Sequence, residues 1–268
     1  MKNNDEKKMS KKTHFTQTKL ITILLVIAVF FLCIAEYANL HRAEIGKKIA
    51  EDMANVTGST AAASATALPK ELTDTNSVLI LVNKTHKLPA GYAPADADLA
   101  TPYLNSSTDA IRIRAVAADP AKAMKAAAAS ENVALVVSAG YISFQEQEDL
   151  YTSDVKLLGG GETGPASTAI EKAGFSEHQT GLAIDFTNDA STSTPTKEFA
   201  NTAAGQWLFS HAHEYGFILR YPNGKTDITG YDYMPWHYRY VGVDAATAIY
   251  NAKDTHDETF EEYYNVLN

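Results

Sequence analysis

Two short strings constrain this chain more than anything else in it. Residues 176–185 read Ser-Glu-His-Gln-Thr-Gly-Leu-Ala-Ile-Asp, and residues 235–240 read Pro-Trp-His-Tyr-Arg-Tyr. The first places His178 in a turn, Gly181 just after it, and Asp185 inside a short apolar strand. The second starts a strand with His237. Two imidazoles and one carboxylate make a three-ligand set for zinc and leave a fourth position for water, which separates a catalytic site from a structural one. The spacing is His-x6-Asp with a distant His, not the His-Glu-x-x-His of helical zinc proteases.

The N-terminus carries a different signal. Residues 1–19 contain Lys2, Lys7, Lys8, Lys11, Lys12 and Lys19, and residues 20–35 read LITILLVIAVFFLCIA without a charge. A basic flank followed by such a run predicts an export signal with its positive side kept in the cytoplasm. Sixteen residues fall slightly short of the ~20 of a full span, and Cys33-Ile34-Ala35 offers a small-x-small cleavage site. An uncleaved signal anchor is the favoured reading and a cleaved, secreted form its alternative. Residues 36–76, Ala-, Thr- and Ser-rich toward their end, read as an extracellular stalk with little to bury. Cys33 is the only cysteine, so no intrachain disulfide forms.

The folded body is expected over residues 77–268. The net charge of the chain is −9, and the lysines of the first segment leave the body more acidic still. Only five Arg are present, at 42, 112, 114, 220 and 239. Nucleic acid is excluded as a partner on that balance, because phosphate binding needs clustered Lys and Arg.

Along the body, apolar runs at 77–82 and 133–138, alternation at 110–116, and the runs 217–221 and 238–241 read as strands. Asp119-Pro120 predicts a helix start leading into an alanine-rich stretch to Ser130. Ser143-Phe144-Gln145-Glu146 has the form of a capping box. Residues 165–173 read as a short helix, 196–215 as a longer one ended by Gly216, and 244–267 as one or two closing helices. His211 and His213 lie two apart on the longer helix and so point to different faces. Strands and helices alternate without a regular βαβ repeat, which makes the body α+β.

Residues 176–185 and 235–242 resemble the VanY-type D-alanyl-D-alanine carboxypeptidases, zinc peptidases of the bacterial cell wall. The resemblance extends through Leu81-Val82-Asn83-Lys84, Tyr92, Pro94, residues 138–151, 216–222, and Thr229-Gly230-Tyr231. It implies a small, mainly antiparallel sheet flanked by helices, preceded here by the N-terminal membrane helix. It implies Zn2+ held by His178, Asp185 and His237, and substrate groups at Ser138, Tyr141, Ser143, Gln147, Ser176 and Trp236. The implied partner is a peptidoglycan stem peptide ending in D-Ala-D-Ala, with the cytoplasmic membrane engaged through residues 20–35.

Two positions depart from the family pattern. The family reads Glu-Pro-Trp-His where this chain has Met234-Pro235-Trp236-His237, and that Glu is the general base. Methionine accepts no proton, and losing a positioned base costs ~10²–10⁴ in rate. The family reads Tyr-Arg-Ser where this chain has Tyr141-Ile142-Ser143, and isoleucine offers the substrate neither charge nor hydrogen bond. Asp232, two residues from Met234, is the candidate substitute base, and Arg112, Arg114, Arg220 and Arg239 are the candidate replacement guanidinium groups. The expected protein keeps its zinc and its peptide groove with impaired chemistry. The alternatives are a working carboxypeptidase with a substitute base, and a non-catalytic surface domain with a structural metal.

Overall fold

A computed structural model of the chain describes residues 68–95, 99–100, 111–158, 166–187 and 195–266. They belong to one compact unit, Ala67–Asn268. The basic segment, the apolar run at 20–35 and the expected stalk as far as residue 67 lie outside the described residues, whereas residues 68–76, also expected as stalk, belong to the folded unit, because Leu72 is buried in its core. Among the described residues no helix is long and apolar enough to cross a membrane.

The element order positions the site. A two-stranded ladder pairs β1 (Leu99–Ala100) with β2 (Ile113–Arg114). Helix α1 (Ala115–Ser130) leads to β3 (Val136–Ala139), and α2 (Phe144–Leu158) follows. Then come β4 (Ala183–Thr187), α3 (Ala203–His211), β5 (Phe217–Leu219), β6 (His237–Tyr240) and α4 (Val243–Tyr250). Single helical turns occupy Lys70–Thr73, Ala166–Ala169, Thr226–Thr229 and Phe260–Tyr263. The central sheet runs β3-β4-β6-β5 with every neighbour antiparallel. Antiparallel pairing with helices to the side is the α+β arrangement expected.

The core lies between the sheet and the helices. Ile184, Phe186, Phe217 and Tyr238 meet Ala117, Ala121 and Met124 of α1 and Trp207 and Leu208 of α3. A second cluster joins Leu72, Leu81, Ile218, Ile249 and Phe260 behind it. Sheet positions facing opposite ways are buried on both sides, so β4 and β6 show almost no alternation of burial, although His237 and Arg239 alternate with Tyr238 and Tyr240 along β6.

Several elements differ from the sequence reading. The run at 77–82 forms no strand, because its carbonyls serve a side chain: Val78 and Ile80 both accept from Arg239 Nη2, at 3.0 and 2.9 Å. Helix α1 begins at Ala115 rather than after Asp119, with Pro120 inside it. Burial of Ala117, Ala118 and Ala121 outweighs the single hydrogen bond that proline removes. The helix at 196–215 is broken by Thr202, whose hydroxyl accepts from Gly205 N at 3.1 Å and caps α3. Short 3₁₀ turns flank it, and Gly216 ends the segment at φ +84°. At α2, Ser143 N donates to Glu146 Oε2 at 2.8 Å and Glu146 N donates to Ser143 Oγ at 3.3 Å, the expected reciprocal box.

Candidate metal centre

The site is built on the pairing of β4 with β6. Asp185 and His237 are direct cross-strand partners in the register, and Asp185 also pairs with Ala139 of β3. The β3–β4 ladder slips between Val137 and Ala139, so Ser138 is the extra residue of a bulge. Its hydroxyl is buried without a hydrogen-bond partner, beside the cavity that Asp185 also lines.

His178 arrives from a 3₁₀ turn, Glu177–Thr180, that Ser176 caps by accepting from His178 N. Gly181 closes that turn at φ +67°, a left-handed conformation that a side chain resists. Its carbonyl accepts from Arg114 N at 2.7 Å, which ties the turn to β2.

Hydrogen bonds behind each imidazole decide which nitrogen faces forward. His178 Nδ1 stands 2.7 Å from the Gly140 carbonyl. A carbonyl only accepts, so Nδ1 carries a proton and Nε2 is the donor atom turned to Asp185 Oδ2, 3.4 Å away. His237 is oriented the other way: Nε2 faces Glu177 Oε2 at 3.4 Å, and Nδ1 lies 2.8 Å from Asp185 Oδ1. One ligand atom from each of His178, Asp185 and His237 therefore falls within 4.8 Å of the others. The donor set and the fixed tautomers fit zinc.

Behind His237 lies a buried network of four charges. Glu177, 1% exposed, accepts from Arg220 Nε at 2.8 Å and from Arg239 Nη1 at 2.7 Å. Arg220 makes a two-pronged contact with Glu261 at 2.8 and 2.7 Å, and Asn83 Nδ2 donates to the same carboxylate at 3.0 Å. Burial disfavours the charge on Glu177, but Arg220 and Arg239 outweigh it and hold the carboxyl well below its usual range. Burial likewise opposes the charge on Asp185, and His178 and His237 reverse that, again downward. For the imidazoles, burial pushes down and Asp185 pushes up more strongly. His178 is raised, and His237 is raised to about 10.

The remaining residues sort by place. Tyr141, Ser143, Ser138 and Trp236 line a broad open cavity of about 1280 Å³ together with Asp185. Gln147, Ile142, Met234 and Trp236 line a smaller recess of about 160 Å³ that also holds His178, Asp185 and His237. Met234 is 6% exposed, in a cluster with Tyr221 and Tyr231. Ser176 is buried and donates to the Glu171 carboxylate. Asp232 lines neither cavity. Its backbone N donates to Thr168 O at 2.9 Å, and its charge is felt by Lys84. Arg220 and Arg239 are consumed by the buried network, and Arg114 donates to Asn76 O at 2.9 Å. Arg112 lines the broad cavity, 5.8 Å from the Tyr141 ring centroid.

Glu171 and Glu261 were not singled out by the sequence. Both act through partners far along the chain, 41 residues for Glu261 with Arg220 and 50 for Glu171 with Tyr221.

A small antiparallel sheet presenting two imidazoles and a carboxylate at an open cleft defines a metallopeptidase type of centre. Residues 110–243 match the VanY family, D-alanyl-D-alanine carboxypeptidase, and the chain belongs to it. It is 41% identical over 191 residues to the putative carboxypeptidase YodJ of Bacillus subtilis, covering 70% of this chain and 67% of that one. Among solved structures, the LdcB LD-carboxypeptidase, whose structure concerns peptidoglycan recognition, aligns with a TM-score of 0.63. It is 39% identical, over 72% of this chain and 88% of LdcB. A variant of the D,D-pentapeptidase VanY from the VanB-type vancomycin resistance cassette, in complex with Zn(II), aligns with a TM-score of 0.56. It is 32% identical, over 69% of this chain and 98% of that one.

Proposed function

We propose that this protein binds peptidoglycan stem peptides of the D-Ala-D-Ala kind at a zinc site outside the cytoplasmic membrane, with hydrolysis impaired. The observation that carries the impairment is Met234, buried in the recess that also holds His178, Asp185 and His237. A thioether there takes no proton from an attacking water and returns none to a departing amine.

His178, Asp185 and His237 would hold the ion, which when bound polarises a peptide carbonyl and acidifies a water. Glu177 keeps the His237 ring turned so that Nδ1 faces forward. The Gly140 carbonyl holds His178 by Nδ1, so that its Nε2 faces forward. Trp236 and Tyr141 give the cleft its aromatic walls. The relatives support the substrate class, since LdcB is an LD-carboxypeptidase that recognises peptidoglycan and VanYB forms a complex with D-Ala-D-Ala. A lysine-flanked apolar run at 20–35 supports tethering, with the folded unit outside.

A working hydrolase with a substitute base is the second reading. The carboxylate favouring it is Glu171, which lines the recess, rather than Asp232, which does not.

D-alanine release from a peptide ending in D-Ala-D-Ala, by the purified zinc-loaded protein, separates the two. Release at rates above about 1 s⁻¹ sinks the impaired reading. Binding of the peptide with release at least ~10²-fold slower is the expected result.

A further inference from the structure

The recess beside the metal ligands has a polarity unlike that of a site for a free peptide C-terminus. Glu171 is 6% exposed and lines it. One carboxylate oxygen accepts from Ser176 Oγ, the other from the Tyr221 hydroxyl at 2.5 Å. The Glu171 carbonyl accepts from Gln147 Nε2 at 2.7 Å. Because that carbonyl only accepts, the Gln147 amide is fixed with its nitrogen toward Glu171. Gln147 Oε1 is then left buried with no hydrogen-bond partner.

Ser176 and Gln147, both assigned to the substrate by family resemblance, thus turn the serine hydroxyl proton and one of the two amide protons to Glu171. The third such position is Ile142, which has no side-chain donor. Among the described residues no Lys or Arg lines the recess, and Arg112 lines only the broader cavity. A free carboxylate entering here would shed its water, meet the carboxylates of Glu171 and Asp154, and find no Lys or Arg to replace what it lost. An amide suffers none of this, and its N–H answers the orphaned Gln147 oxygen.

We propose that this recess selects peptides whose metal-proximal end is uncharged and donates an N–H, a carboxamide or a bond within a longer chain, over a free C-terminal carboxylate. Glu171 sets the choice and Gln147 reads the amide. The adjoining cavity of about 1280 Å³, with Leu150 and Leu157 on its wall, has room for such a longer chain. The inference rests on the preceding reading for the presence of a peptide beside the metal site.

The test is calorimetric binding by the full-length zinc-loaded protein of two probes, an N-acylated Lys-D-Ala-D-Ala acid and its C-terminal amide. The amide is expected to bind at least about tenfold tighter. Glu171→Gln is expected to shrink that ratio about tenfold by admitting the acid, and Ile142→Arg, which leaves the Glu171 contacts in place, to tilt it the same way. Equal or tighter binding of the acid by the parent overturns the selection while leaving a peptide-binding metal site standing. A ratio unmoved in both variants overturns the assignment to Glu171. Binding of neither probe overturns this inference and the proposed function together.

Discussion

Glu177 Oε2 lies 3.4 Å from His237 Nε2, across 60 residues of chain, while Glu177 is itself the neighbour of His178. One carboxylate therefore orients one candidate metal ligand through space and adjoins another along the backbone. It also pairs with Arg220 and Arg239, and Glu261 supplies the second negative charge of that network. Glu177→Gln is expected to weaken zinc binding about 10–100-fold, the usual effect of removing a partner behind a ligating histidine. It should also cost about 3–5 kcal/mol of stability by leaving buried guanidinium groups short of charge. Glu261→Gln separates the two effects, because Glu261 touches Arg220 and Asn83 but no ligand. It should lower the denaturation midpoint with little change in zinc affinity by competition with a chelator. Equal loss of zinc in both variants would count against an orienting role for Glu177.

Met234 lies among Tyr221, Tyr231 and Trp236 in the recess with the ligands. Met234→Glu is expected to raise the turnover number for D-alanine release by about 10²–10⁴. The gain belongs in kcat, since the new group serves the transition state. Adding Ile142→Arg should act on KM instead, through a charged contact to the substrate end. A Met234→Glu protein that binds zinc and peptide and stays silent would show that the recess holds the new carboxylate out of reach.

The meeting of His178, Asp185 and His237 was legible because its signals are local. A histidine in a Ser-capped turn, a glycine three residues on and an aspartate in an apolar strand need only a ladder to bring His237 opposite Asp185. Capping at Ser143 and the stop at Gly216 were legible for the same reason. What the sequence hid is long-range and polar. Residues 77–82 look like a strand because their side chains are apolar, yet their carbonyls are claimed by Arg239 from 159 and 161 residues away. Nothing in the sequence pairs Glu177, Arg220, Arg239 and Glu261 with one another, yet all four are nearly inaccessible to water. Only their mutual neutralisation makes that burial tolerable, and no spacing rule announces it.

Gly181 carries φ +67°, and a Cβ built there would sit 3.1 Å from Arg114 Cγ and 3.2 Å from Arg114 N. Gly181→Ala meets both the left-handed penalty of about 1–2 kcal/mol and this crowding at the hinge between the His178 turn and β2. Chemical denaturation should show a loss of at least about 1 kcal/mol, with zinc affinity reduced as His178 shifts. An unchanged midpoint would mean that the turn relaxes freely, and that glycine is not needed for its shape.

The proton balance of the metal-free centre gives a prediction with a definite sign. Burial lowers the basicity of His237, but Asp185 more than offsets it, so its pKa rises from 6.5 to about 10. His178 moves in the same direction. A raised imidazole stabilises the metal-free fold fully below 6.5, and that contribution is lost as pH climbs through the folded value. Asp185 and Glu177 are depressed, so their contributions are present above the usual carboxylate range and are lost as pH falls toward their folded values. Zinc inverts the first relation, because His237 Nδ1 must release its proton to ligate. Between 6.5 and about 10, zinc binding should displace about one proton from His237, with more from His178, and apparent affinity should rise about tenfold per pH unit for each proton displaced. Calorimetry at pH near 8 in buffers of different ionisation enthalpy reads the number directly. Zinc binding without proton release there would mean that both imidazoles are already neutral, and that Asp185 does not hold their charge.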